Sequence, residues 1–419
     1  MMRAGRERER DVAVRAPSRR GAAPHLTLAL ACALATLLAG CALPWAPQPD
    51  QILTIATLLP ESGADAIIGQ AMVNAVDLAV TQHATSAKGY RLAVVHVDEE
   101  GGSPAATLRS LTADQQVLGV VGPFDGQTAS AATSALAPQH LVAISPSETL
   151  AAAAQSVPAP PGGTTPLSLL PPAPAAGQTA ADLAVAASSA HGFAAHTVYV
   201  VDDGTPYGQA AVTAFERELK AKHGGVAGHS AIATGDLVST QTAVSAIVAA
   251  APDLVFFAGG TAAGAEMRAT LTLSGVPALP MLEVGSMANN PGWGAAVGDP
   301  LATGNVAALL PAPNLLSLPT AKDFVAAYQQ AYPGAQILPQ SALAYDAAMD
   351  EITAIQSLLQ AGKVPTRAAV LALVASAHYT GVTGTITFDQ AGSSAASPGF
   401  SLYTCGTKGA WTFVATLGA

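Results

Sequence analysis

The side chains of this chain with the means to do chemistry fall in four short segments. They are Pro60-Glu61-Ser62-Gly63 running into Ile68-Gly69-Gln70, Gly122-Pro123-Phe124-Asp125-Gly126-Gln127-Thr128, Ile144-Ser145-Pro146-Ser147-Glu148-Thr149, and Asp202-Asp203-Gly204-Thr205-Pro206-Tyr207-Gly208. Each is small and polar and stands where a predicted strand gives way to a predicted helix. The first turn of a helix leaves backbone N–H groups without intrahelical partners, so such places attract a carboxylate or another polar group. This is the chemistry of binding. Signs of catalysis are missing from the sequence. The nine histidines are scattered, and His191 and His196 stand five apart across Gly192, so they do not share a helix face. There is no His-Glu-x-x-His, Cys-x-x-Cys, Gly-x-Ser-x-Gly or Gly-x-x-x-x-Gly-Lys-Ser/Thr, hence no zinc, thiol-redox, serine-elbow or nucleotide-phosphate signature. Asp98-Glu99-Glu100 reads as a solvated turn before the helix cap at Ser103, not as a metal site, because a hard cation needs more oxygens at set spacing. No cofactor and no metal are expected.

The elements that must position these segments alternate along the chain. Ile52–Leu59 reads as a buried strand, and Ile67–Gln82 as a helix with Ile68, Met72, Ala75, Val76 and Ala79 on one face. Arg91–Val97, Val117–Val121 and Leu141–Ile144 read as strands. Ser103 followed by Pro104 opens a helix, and Ser130–Gln139 fits another. Residues 151–176, rich in alanine and proline, read as a long connection. Alternation then resumes with helix Ala180–Ser189, strand Thr197–Val201, helix Gln209–His223, strand Val226–Ala233, helix Thr240–Ala250, strand Leu254–Ala258, helix Ala263–Ser274 and strand Pro280–Val284. Helices Thr320–Tyr332 and Ser341–Gln360 and strands Thr385–Phe388 and Phe400–Cys405 complete the series. Repeated strand–helix units with apolar strands predict two doubly wound α/β lobes, whose ligands sit beyond the carboxyl ends of the strands.

The N-terminal segment carries a separate message. A basic stretch with seven arginines precedes 13 uncharged, mostly apolar residues, Leu26 to Leu38, and then Ala39-Gly40-Cys41. That is the layout of a secretory signal, too short for a membrane-spanning helix of ~20 residues. A cysteine directly after small residues resembles the bacterial lipoprotein cleavage signal, in which the Cys41 thiol is acylated and becomes the new N-terminus. Residues 1–40 are expected to be the signal, and 41–50, with Pro44, Pro47 and Pro49, a semi-rigid tether. Of 18 basic and 28 acidic residues, 7 and 3 precede Cys41, so 11 face 25 beyond it, a net of −14. This charge and the lack of a basic stripe exclude nucleic acid as a partner. Cys405 is the one cysteine after Cys41. It has no intrachain disulfide partner there and reads as a buried strand thiol.

Five stretches, in order, resemble the type I periplasmic solute-binding proteins of the branched-chain amino acid branch. ILTIATLLPESGADAIIGQAMVNAVDLAV is similar to that family's opening strand, loop and helix. VVGPFDGQTASAATSALAPQHLVAISPSET resembles its next two strands with their ligand loops, and VYVVDDGTPYGQAAVTAF the start of its second lobe. AYDAAMDEITAI and GVTGTITFDQAG resemble its closing helix and hinge strand. The likeness covers nearly all of residues 51–405. It implies two lobes joined by a three-segment hinge, with an N-terminal lobe of 51–172 and 310–388 and a C-terminal lobe of 173–309 and 389–419. It further implies closure on a small solute and delivery to an ABC permease in the membrane, to which the lipid would also tether the protein.

Residue by residue, the resemblance implies ligand contact at Ser147 and Thr149 and, from the loop after Gly122-Pro123, at Thr128. Asp125, Gly126 and Gln127 stand where the family commonly has a hydroxyl. Tyr207 aligns with an aromatic that closes over the ligand, and Thr261 stands where a tyrosine is frequent. Glu283 lies beside the position of the acid that takes an α-ammonium, and Ile68 replaces an aromatic. Ser147, Thr149 and Thr128 also suit turn or helix capping, Tyr207 suits packing, and Glu283 a solvated loop, so those readings stay open. An amino acid or related compound is the expected solute. A sensory receptor of the same fold and a non-binding structural lipoprotein are the alternatives.

Overall fold

The computed structural model describes residues 51–63, 65–83, 88–124, 126–147, 165–186, 192–285, 287, 288, 290, 292–298, 304–394, 399–406 and 409–418. The signal, the tether and Cys41 lie outside them. The chain opens with strand β1 (Gln51–Leu59), helix α1 (Ala66–His83), β2 (Tyr90–Asp98), α2 (Pro104–Ala113), β3 (Val117–Val121), α3 (Gly126–Leu136), β4 (Val142–Ser145) and β5 (Leu167–Ser168). These strands form a parallel sheet in the order β2-β1-β3-β4-β5. From Leu53 on, β1 is buried on both faces, as are β3 and β4, the condition under which strands read as continuous apolar runs.

A second alternating series follows. It comprises α4 (Ala173–Val185), β6 (Thr197–Asp202), α5 (Pro206–Ala221), β7 (Gly225–Ala231), α6 (Leu237–Ala250), β8 (Leu254–Gly259), α7 (Thr261–Leu273), β9 (Met281–Gly285), α8 (Trp293–Val297) and β10 (Val306–Leu310). The chain then returns to the first sheet, where α9 (Lys322–Ala331) and α10 (Pro339–Gln360) pack on α1, and α11 (Arg367–Ser376) on β3 and β4. After a short antiparallel pair, β11 (Tyr379–Thr380) and β12 (Thr385–Ile386), it crosses again to β13 (Phe400–Cys405) and β14 (Trp411–Leu417). The second sheet runs β14-β13-β10-β9-β8-β6-β7, antiparallel only at β13 and β14. The result is two lobes, each a doubly wound α/β sheet.

Each sheet has an apolar core on either face. In the first lobe these are the α1–α10 side, with Met72, Val76 and Ile352, and the α2–α3 side, with Leu108, Leu111 and Leu136. In the second, Phe215 stacks on Phe256 across the α5 face, and Trp293, Phe257 and Met267 fill the other. Cys405 belongs to this last cluster, where burial pushes its thiol up to about 11. Among the described residues no helix is long and apolar enough to cross a membrane.

Helix α10 carries three acids into the first lobe's interior. Glu351 is fully buried, and its Oε1 accepts a hydrogen bond from Val120 N of β3 at 3.0 Å. Asp346 accepts from the N–H groups of Val382 and Thr383, each at 2.8 Å, and fixes the β11–β12 turn. Asp350 lies between them with an unbonded Oδ2. Removal from water raises all three carboxyls, Asp346 to about 6, Asp350 to about 7 and Glu351 well above the ordinary range.

Several elements differ from the sequence expectation. Helices α3, α5, α6 and α7 start two to four residues earlier than apolar periodicity indicates. Their starts are set by polar caps and proline, not by apolar spacing: Thr205 Oγ1 accepts from Gly208 N, Pro206 is the first residue of α5, and Asp236 caps α6 ahead of the exposed Leu237 and Val238. A cap supplies an acceptor to first-turn N–H groups that find none within the helix, and a proline there removes one such group. The stretch 151–176 is not all connection, since it contains β5 and the start of α4; the helix expected at Ala180–Ser189 is Ala173–Val185. Glu99 is not solvated but 4% exposed, and its Oε2 accepts from Phe124 N at 2.8 Å.

Candidate functional site

In both sheets the loops beyond the carboxyl ends of the parallel strands face one cavity of about 250 Å³. From the first lobe Asp65, Phe124, Gly126, Pro146, Ser147, Leu170 and Gln340 line it. From the second come Asp203, Thr205, Tyr207, Thr234, Gly259, Gly260 and Gly285, and Leu310, Pro311 and Ala312 close the side where the chain crosses between the lobes. The cavity lies where each sheet's strand order reverses, between β1 and β3 in one and β6 and β8 in the other, which is the switch point of a doubly wound sheet.

The first-lobe wall is strapped from behind. Gly122, at φ +132°, leaves β3 where a Cβ would strike the carbonyl oxygen of Leu58; only glycine combines that dihedral with that approach. The next residues are held on two sides. Phe124 N donates to Glu99, Ser145 Oγ donates to Pro123 O at 2.8 Å, and Ser147 Oγ donates to Phe124 O at 3.1 Å.

The second-lobe wall is organised by Asp203. Its Oδ1 accepts from Thr205 N at 3.0 Å and Thr205 Oγ1 at 2.6 Å, and its Oδ2 from Gly260 N at 2.9 Å, tying the loop after β6 to the loop after β8. Asn290 reaches across the cleft. Its Nδ2 donates to Thr261 Oγ1 at 3.1 Å and to Asp65 Oδ1 of the first lobe at 3.4 Å, while its Oδ1 accepts from Gly292 N at 2.8 Å.

Behind the second wall, Glu283 on β9 is fully buried. Its Oε1 accepts weakly from Met287 N at 3.4 Å and its Oε2 has no partner. Loss of water pushes this carboxyl well above the usual carboxylate range; the Met287 N–H pulls it back and the Asp203 charge adds to the rise. Gly285, which lines the cavity, lies against it: a Cβ there would stand 2.6 Å from Glu283 Oε1. In the first lobe, Gln340 lines the cavity at 5% exposure with its Oε1 unbonded.

Among the residues the sequence singled out, Ser147 and Tyr207 meet as cavity lining from opposite lobes. Thr261 sits just behind Gly260, holding Asn290, and Glu283 just behind Gly285. Thr128 lies in the first turn of α3, 1% exposed and outside the lining. Thr149 and Asp125 fall outside the described residues. Sequence reasoning did not single out Asp65, Thr234 or Gln340. Applying the strand-to-helix rule to the loop after β7 would have found Thr234; nothing in the sequence flags Gln340. No group of three His, Cys, Asp or Glu side chains suited to a metal occurs among the described residues.

Residues 52–410 match the family model described as periplasmic binding protein. No curated protein sequence matches the chain. Among solved structures, a leucine-binding protein of Thermotoga maritima has a TM-score of 0.74 at 18% identity, covering 87% of this chain and 98% of its own. The solute-binding protein of an R. palustris ABC transporter, solved with benzoate, has a TM-score of 0.70 at 20% identity over 87% and 96%. A branched-chain amino acid transporter's substrate-binding protein from Streptococcus pneumoniae, solved with isoleucine, reaches 0.68 at 18% over 87% and 99%.

Proposed function

This chain belongs to the periplasmic binding protein family, whose members bind solutes and are not enzymes, and from that premise we propose that it is the lipid-anchored solute receptor of an ABC importer. Membership in a periplasmic family implies an extracytoplasmic location. The observation that carries the reading is the cavity itself, enclosed by strand-end loops of both sheets and sized for a small molecule. Closure of the lobes is then a population shift driven by contacts that exist only when both walls meet the solute. Solved proteins of this fold with isoleucine or benzoate bound support a solute of similar size.

In this reading Ser147 and Tyr207 touch the solute from opposite lobes, Thr128 supports the first wall, and Thr261 and Glu283 the second. The lobes divide at 172/173, 309/310 and 388/389. Cys41 carries the lipid and residues 41–50 hold the receptor off the membrane, where it meets the permease. Thermal unfolding against a panel of amino acids, amides, amines and small acids identifies the solute, because a ligand at 100 times its dissociation constant adds ~2.7 kcal/mol of stability. Tyr207→Ala and Ser147→Ala should each weaken that ligand about tenfold or more, the scale of one buried contact or hydrogen bond; unchanged affinity in both variants sinks the site assignment. Cys41→Ser should move the protein from the membrane fraction to the soluble one and remove the mass of the acyl groups.

A further inference from the structure

The charged groups lining the cavity are of one sign. Its charged side chains, Asp65 and Asp203, are both acids. The two hydroxyls whose bonding is defined have already used their hydrogens, Ser147 on the Phe124 carbonyl and Thr205 on the Asp203 carboxylate. They turn lone pairs, not donors, toward the cavity. Gln340 presents an amide oxygen with no partner, and behind Gly285 stands Glu283 with a second oxygen that has none. No compensating base is within the sequence of the walls. Segments 52–82, 110–139, 141–190, 197–216, 230–267, 281–321 and 334–361, which supply every lining residue, contain no lysine, arginine or histidine.

A carboxylate entering this space would meet two like charges with no base in the walls to offset them, and a desolvated like-charge approach is strongly unfavourable. A nitrogen cation brings a charge opposite to that of Asp65 and Asp203 and N–H groups that the unbonded Gln340 oxygen can accept. Phe124 and Tyr207, also in the lining, suit a cation further through the negative faces of their rings. Resting on the solute-receptor reading above, we infer that the solute is a small organic cation, an amine, amidine or guanidine without a carboxylate. Asp65 and Asp203, on opposite walls, supply the charge it pairs with.

Matched probes test this in the purified full-length protein. Benzamidine is paired with benzoate, and isoamylamine with leucine, from which it differs only by loss of the carboxylate. Thermal unfolding and titration calorimetry should show the two cations stabilising by several degrees at saturation and the two carboxylates not at all. Asp65→Asn should weaken the cations tenfold or more, with the melting temperature without ligand measured beside it to separate a loss of binding from a loss of folding. Stabilisation by benzoate or leucine overturns the inference and leaves the receptor reading standing. Cation binding that Asp65→Asn does not change overturns the assignment of Asp65 as charge partner. Silence of all four probes and of a wider set of amines, amino acids and acids overturns both readings.

Discussion

Glu351 in the first lobe and Glu283 in the second are fully buried acids, each raised by loss of water and each roofed by a glycine whose Cβ would collide with it, Gly119 and Gly285. Their surroundings separate them. Glu351 bonds a strand N–H at 3.0 Å inside the packed layer between α10 and β3, with Asp346 and Asp350 on the same helix. Glu283 has only a 3.4 Å bond, and its roof is the cavity wall. A buried, perturbed acid is therefore no sign of a site by itself. The same chemistry is a strut where it meets backbone and a candidate contact where it meets empty space.

The largest effect should come from breaking the strut. Glu351→Ala leaves Val120 N without its acceptor and opens a void, so denaturant unfolding should report a loss of about 2–5 kcal/mol. If Glu351→Ala costs no more than Glu283→Ala, the distinction between the two acids collapses. Asp350 gives the next effect through pH. Its carboxyl is raised to about 7 in the folded state, so the unfolded chain releases its proton first, and the folded state loses stability as pH rises from about 4 to about 7. Asp350→Asn cannot ionise and escapes that loss. At pH 8 it should be more stable than the parent by about 2–4 kcal/mol, and at pH 4 it should not be; an equal difference at both pH values refutes the assignment.

Glu283→Gln should be the mildest for stability, under about 1 kcal/mol, because burial already favours the neutral form of the parent carboxyl. Its effect belongs to binding. A bound cation favours the ionised form, so affinity for benzamidine should rise with pH in the parent and stay flat in Glu283→Gln. Asp203, the charge that adds to the rise of this carboxyl, is retained in both proteins. A pH slope that survives the substitution assigns the titration elsewhere.

The sheet strands were legible because burial on both faces makes them apolar runs; β3 and β13 have the limits read from sequence. Helix starts were not, since Pro206 and Pro339 look like punctuation and become first-turn residues only when the chain is folded around them. β10, β14 and α11 were missed altogether. β14 is half-buried at a sheet edge, where no strong pattern develops. At the site, Ser147 and Tyr207 were found because their loops follow strands. Asp65 and Gln340 were missed because their place in the lining is set by the packing of α1 and α10, which no local spacing encodes. Glu99 reversed its expected role, since whether an acid after a strand meets water or a neighbouring loop's N–H is decided by that loop's path.

The sulfur on β13 has a practical consequence. Beyond Cys41 the sequence offers only Cys405, buried and with its thiol pushed up to about 11, so reagents that attack thiolates meet a silent background at neutral pH. Cysteines introduced at Ile67 and Val238, 52% and 73% exposed on helices of opposite lobes, would react selectively. A donor–acceptor dye pair there would turn lobe movement into an optical signal, one receptor molecule at a time.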